Sequence, residues 1–137
     1  MKKFIVLCIF FVSFLQAAEW NYTQEISLSK DQYQTVLVKE EALLRVLKFR
    51  WTLYAGGGLV MHLNFNERAS QFILYEDYKK AAYKVRLLPK SSAYKRVPYL
   101  YLVFKKFDYK TKKAHFDILI DDPEKRALIE VKPLKET

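Results

Sequence analysis

The stretch LLRVLKFRWTLYAGGGLVMHLNF, residues 43–65, decides the fold. From Leu43 to Tyr54 it reads as one long strand. Leu43, Leu47, Phe49, Trp51 and Leu53 share one side, and Lys48, Arg50, Thr52 and Tyr54 the other. A period of two marks a half-buried strand. Gly56-Gly57-Gly58 then breaks the alternation, and glycine supplies the positive φ that tight hairpin loops need. A slip of one residue would turn the wrong side inward, so matching the faces sets a register. A three-residue loop at 56–58 pairs Leu53 with Met61, Trp51 with Leu63 and Phe49 with Phe65. It also sets Thr52 opposite His62 and Arg50 opposite Asn64. A triple glycine also suits a phosphate, but neither a helix nor Lys-Ser/Thr follows it, so the hairpin reading stands.

The same alternation continues outward in both directions. Upstream, Trp20 to Leu28 and Tyr33 to Val38 read as strands, separated by Ser29-Lys30-Asp31. Glu40-Glu41 suits the start of a short helical turn, but Leu43 to Tyr54 reads better as one long strand. Downstream, Asn66-Glu67-Arg68-Ala69 is a turn, and strands follow at 71–75, 83–88, 98–107, 114–121 and 127–132. Glu76 to Ala82 is a helical or irregular link. Asp122-Pro123-Glu124-Lys125 is a turn with proline where turns favour it. These are about eight short strands joined by hairpin-length loops, without the crossover helices a parallel sheet requires. The expected fold is all-β and mainly antiparallel, a meander closed as a small barrel or folded as a sandwich.

The N-terminus has a different character. Met1-Lys2-Lys3 precedes an apolar run, Phe4 to Leu15, and then Gln16-Ala17-Ala18. That is the order of a cleavable secretory signal peptide, and the run is shorter than the roughly 20 residues of a spanning helix. The expected organisation is a signal at residues 1–18 and one β domain at 19–137. Cys8 lies inside the leader, so the mature domain is expected to carry neither disulfide nor thiol chemistry. Lys2 and Lys3 leave too: 24 basic residues become 22 against 15 acidic ones, and the formal charge falls from +9 to +7. The expected location is the periplasm or outside the cell, with no membrane-spanning segment after cleavage. An outer-membrane barrel is disfavoured because strands such as 71–75 fall short of the 9–11 residues membrane strands use.

Three constellations could carry chemistry. The first is basic and aromatic: Lys105, Lys106, Tyr109, Lys110, Lys112 and Lys113 crowd one hairpin, with Tyr94-Lys95-Arg96 and Tyr78-Lys79-Lys80 repeating the theme. Lysines beside stacking rings suit anionic ligands. Export argues against nucleic acid and for an anionic component or a protein of the cell envelope. A solvated face that guards a strand edge is the plainer role. The second is Arg50, Thr52, Tyr54, His62 and Asn64, which the expected register gathers on one face of the glycine hairpin. The third is acidic: Phe116-Asp117-Ile118 on one strand, then Leu128-Ile129-Glu130-Val131-Lys132 on the next. With the apolar faces aligned, Asp117 stands opposite Glu130, and like charges facing across a ladder need something positive between them.

An Asp on one strand followed by apolar-Glu-x-Lys on the next resembles the core of the PD-(D/E)XK nuclease superfamily. The resemblance spans about 17 residues and implies a divalent metal held by Asp117 and Glu130, with Lys132 positioning the attacking water. The chain lacks the family's following helix and strand, since only Pro133 to Thr137 come after Lys132. No His/Cys/carboxylate group has zinc spacing, and no serine has a nucleophile motif. The sequence therefore predicts a non-enzymatic binding or accessory protein of the envelope, without cofactor or metal. The alternatives are the metal-dependent nuclease and a structural subunit that pairs through a strand edge.

Overall fold

The computed structural model describes residues 21–76 and 79–134. The leader expected at residues 1–18 lies outside them. The described chain is nine antiparallel strands: β1 (Tyr22–Ser29), β2 (Gln34–Glu40), β3 (Leu43–Ala55), β4 (Gly58–Phe65), β5 (Arg68–Tyr75), β6 (Ala82–Arg86), β7 (Tyr99–Asp108), β8 (Lys113–Asp121) and β9 (Leu128–Val131). No helix forms among the described residues, so none there is long and apolar enough to cross a membrane.

The strands make two sheets, ordered β1-β8-β7-β6 and β5-β4-β3-β2-β9. They do not close into the barrel that was one expected outcome. Nor is the chain a simple meander. β2 to β5 and β6 to β8 run as neighbours, but β1 joins β8 and β9 joins β2. One core spans both layers, with Leu28, Phe49, Met61, Leu102, Phe104, Phe116 and Ile118 essentially dry. The layers meet through rings: Phe49 on β3 packs edge-on to Phe116 on β8 at 6.1 Å. Phe72 on β5 stacks on Tyr83 of β6 at 3.7 Å, closing the open side between two sheet edges.

The glycine hairpin corrects the expected register. Ala55 pairs with Gly58, so the loop is two residues, Gly56 and Gly57, both at positive φ (60° and 78°). This is the geometry of the tight turn that matches strand twist. A β-bulge follows at Thr52, and beyond it Trp51 meets Met61, Phe49 meets Leu63 and Leu47 meets Phe65. Arg50 accordingly stands opposite His62, and Lys48 opposite Asn64. The bulge also exchanges the faces above it. Leu53, expected inside, is exposed, and Tyr54, expected outside, packs on the core.

The turn at residues 122–125 is also not a hairpin. It carries the chain from one sheet to the other. Asp122 is buried and accepts the N–H groups of Arg126 (3.0 Å) and Ala127 (2.9 Å). Arg126, 2% exposed in its side chain, donates to Glu40 at the end of β2 (2.8 Å), and its guanidinium lies over Tyr94. This pair draws β9 to β2 and away from β8.

Candidate functional site

The site follows from two bulges that face each other across the core. In an unbroken strand, residues three apart lie on opposite faces. The bulge at Thr52 on β3 puts Trp51 and Tyr54 on the same side. A second, at Lys105 on β7, does the same for Phe104 and Phe107. The four rings then meet. Phe107 lies edge-on to Trp51 at 5.6 Å and stacks on Tyr54 at 4.2 Å, and Tyr54 lies edge-on to Phe104. Tyr109, from the β7–β8 loop, completes the cluster against Tyr54 and Phe107.

Polar bonds fix this arrangement. Tyr54 donates to Glu76 Oε1 (3.0 Å), which also accepts the Phe107 N–H (3.1 Å). Tyr109 donates to the Tyr54 oxygen at 3.4 Å. The bond from Tyr109, then burial, then the Glu76 carboxylate hold the Tyr54 phenol well above the usual tyrosine range, so it remains a donor. Trp51 Nε1 donates to the Leu28 carbonyl (2.8 Å), and the Asp31 N–H reaches the Trp51 carbonyl (2.9 Å). These bonds tie the β1–β2 turn, and with it Lys30, to the bulge. Asp108 Oδ1 accepts the N–H of Lys110 (2.9 Å), shaping the loop that carries Lys112.

The result is a cleft of about 440 Å³ lined by Ser29, Lys30, Trp51, Thr52, Leu53, Tyr54, Phe107, Thr111 and Lys112. Its floor is aromatic, and lysines from two loops flank it. Among the described residues, neither Lys30 nor Lys112 has a carboxylate within ion-pair distance. Tyr54 joins the basic loop to the glycine hairpin, a link that the sequence reading missed. The available clue was spacing: Trp51/Tyr54 and Phe104/Phe107 are aromatic pairs three apart in stretches that otherwise alternate.

The remaining hairpin residues stay on the outer face. Thr52 Oγ1 lies 3.0 Å from His62 Nε2, although the register sets Arg50 opposite His62. Arg50 pairs with Asp31 (3.2 Å) and covers Tyr33, while Asn64 lines the same shallow hollow as His62. A larger concavity, about 1300 Å³, spreads over this face with Arg45, Lys48 and Lys132 set against Asp31 and Glu67. Mixed signs give it no preference for one ligand charge. We therefore locate the site in the smaller, one-signed cleft.

The acidic constellation is not assembled as expected. Asp117 lies in the four-stranded sheet opposite Glu25, while Glu130 lies in the five-stranded sheet opposite Leu37, because residues 122–127 cross between layers. Lys132 Nζ is 3.7 Å from Glu130 and belongs to that sheet's side of the molecule. Asp117 and Glu25 instead share Lys105, at 3.6 and 2.7 Å. Among the described residues no three His, Cys, Asp or Glu side chains gather as a metal would require. Lys106 borders a separate hollow with His115 and Ser27, whose hydroxyl is 2.9 Å from His115 Nδ1. Lys110 and Lys113 are exposed on the hairpin that carries Lys112.

Comparison with protein-family models, with curated proteins and with solved structures finds no match to this chain. The geometry alone defines the class: an antiparallel two-sheet β protein with a lysine-flanked aromatic cleft at one end.

Proposed function

We propose that the chain is exported by residues 1–18 and acts in the cell envelope as a non-enzymatic binding protein. Its ligand is an anionic group carried on an apolar or ring-bearing scaffold. One observation carries this reading: Lys30 and Lys112, with no carboxylate in reach among the described residues, flank the Trp51–Tyr54–Phe107 floor. An ammonium beside an aromatic wall attracts an anion, and the rings add contact area for whatever bears it. The formal charge of +7 left once Lys2 and Lys3 depart with the leader steers acidic surfaces toward the molecule.

Lipid headgroups and acidic glycans present the same chemistry, and two binding arms separate them. The purified protein is floated with vesicles of anionic lipid and with zwitterionic ones, and passed over an acidic polysaccharide matrix. Retention on one anionic surface that is lost as salt rises supports the proposal and names the source. Absence of retention on either surface at low salt overturns it.

A further inference from the structure

A two-sheet protein has four strand edges, and here they are β1, β6, β5 and β9. Natural edges are blunted by charge, proline, bulges or short length. β9 is four residues long and is followed by Pro133. β6 is five residues long and carries Lys84 and Arg86. β1 has the exposed Glu25 near its middle. β5 has only Arg68, at its first position. It runs for eight residues without proline or bulge, and from Ala69 to Tyr75 it carries no charge.

Its free groups follow from the hairpin that forms it. The β4–β5 loop is Asn66 and Glu67, both at positive φ, so Phe65 and Arg68 flank a two-residue turn and exchange hydrogen bonds. Bonded pairs alternate along an antiparallel ladder. Ser70, Phe72 and Leu74 therefore bond to β4, while Ala69, Gln71, Ile73 and Tyr75 direct their N–H and C=O groups to the open side. The Tyr75 N–H confirms the alternation, reaching away from β4 to the Lys80 carbonyl at 3.0 Å. Among the described residues, the groups of Ala69, Gln71 and Ile73 meet no backbone partner and remain for a second chain. An apolar row leads to the same edge: Leu53, Val60 and Ile73 are in register across β3, β4 and β5, with Leu53 54% and Ile73 50% exposed.

We propose that β5 pairs antiparallel with β5 of a second copy of this chain, about a two-fold axis at Gln71. A symmetric pair places the same patch on both copies, so the strand must complement itself. Centred on Gln71, it does. Ala69 of one copy faces Ile73 of the other, small against large. The two Gln71 side chains face each other, and an amide offers both donor and acceptor. The ladder then uses the open N–H and C=O groups of Ala69, Gln71 and Ile73, and no like charges stand opposite. Arg68, the only charge on the strand, faces Leu74 of the other copy. The five-stranded sheets join into one continuous sheet, and Ile73 is covered.

Sedimentation equilibrium of the purified protein over a rising concentration series tests this, together with Gln71→Lys and Gln71→Glu. Gln71 is exposed, so unchanged circular dichroism is the control that each variant is folded. The wild type is expected to dimerise as concentration rises. Each variant alone, with like charges at the axis, is expected to lose the dimer, and an equal mixture of the two to regain it. A wild type that stays monomeric throughout overturns the proposal. So does a Gln71→Lys protein that dimerises like wild type, or a mixture that remains monomeric.

Discussion

Lys105 holds together two carboxylates that would otherwise repel across a strand pair. Glu25 and Asp117 are directly opposed on β1 and β8, and the extra residue of the β7 bulge brings an ammonium to both. The sequence made half of this legible. The need for a positive group beside Asp117 was readable, but the acid expected opposite it was Glu130, and the register sets Glu25 there with Lys105 between them. That partner lies 92 positions upstream of Asp117, and not on the next strand; strand order, unlike strand identity, is not written in alternation. The Lys105 bond, then its charge, holds the Glu25 carboxyl below its ordinary value of 4.5. A lowered folded value contributes stability above the unfolded one and loses it as pH falls through the folded one. In an NMR pH titration, Glu25 is expected to titrate below its ordinary value. Lys105→Ala is expected to move that midpoint upward, and an unmoved midpoint contradicts the pairing.

At the scale of the element, alternation reads the strands well and fails where the backbone departs from it. The strands at 34–40, 58–65 and 113–121 lie close to their expected positions because no extra residue interrupts their period of two. The bulges at Thr52 and Lys105 each insert one residue and exchange faces, so Leu53 and Tyr54 changed sides. The crossover at residues 122–127 was read as a hairpin turn because Asp-Pro-Glu-Lys has turn chemistry in either setting. What distinguishes them is Arg126, buried against Glu40, a partner 86 positions away. That pair fixes β9 beside β2. Arg126 is buried and Glu40 only partly so, and leaving a buried donor without its partner costs about 1–3 kcal/mol. Glu40→Gln is therefore expected to lower the denaturation midpoint by that amount in stability. A loss below about 1 kcal/mol, the value of an exposed pair, would show that Arg126 does not hold the crossover.

For the whole molecule, the two sheets place the aromatic cluster and the basic β7–β8 loop at one end, with Lys30 brought in by the β1–β2 turn. Composition showed that rings and lysines were abundant. Only the fold shows which of them share a cleft. Lys90 and Lys125 are exposed in loops that adjoin the opposite ends of β7 and β8, so they serve as a matched control for charge alone. The decisive measurement is the affinity for anionic-lipid vesicles of the wild type, of Lys30→Ala/Lys112→Ala and of Lys90→Ala/Lys125→Ala. Each lysine near a charged surface contributes about 1 kcal/mol, so losing the cleft pair is expected to weaken binding about 30-fold. The control pair is expected to stay near wild type. Equal weakening by both pairs, or none by the cleft pair, would contradict the assignment of the cleft as the binding site.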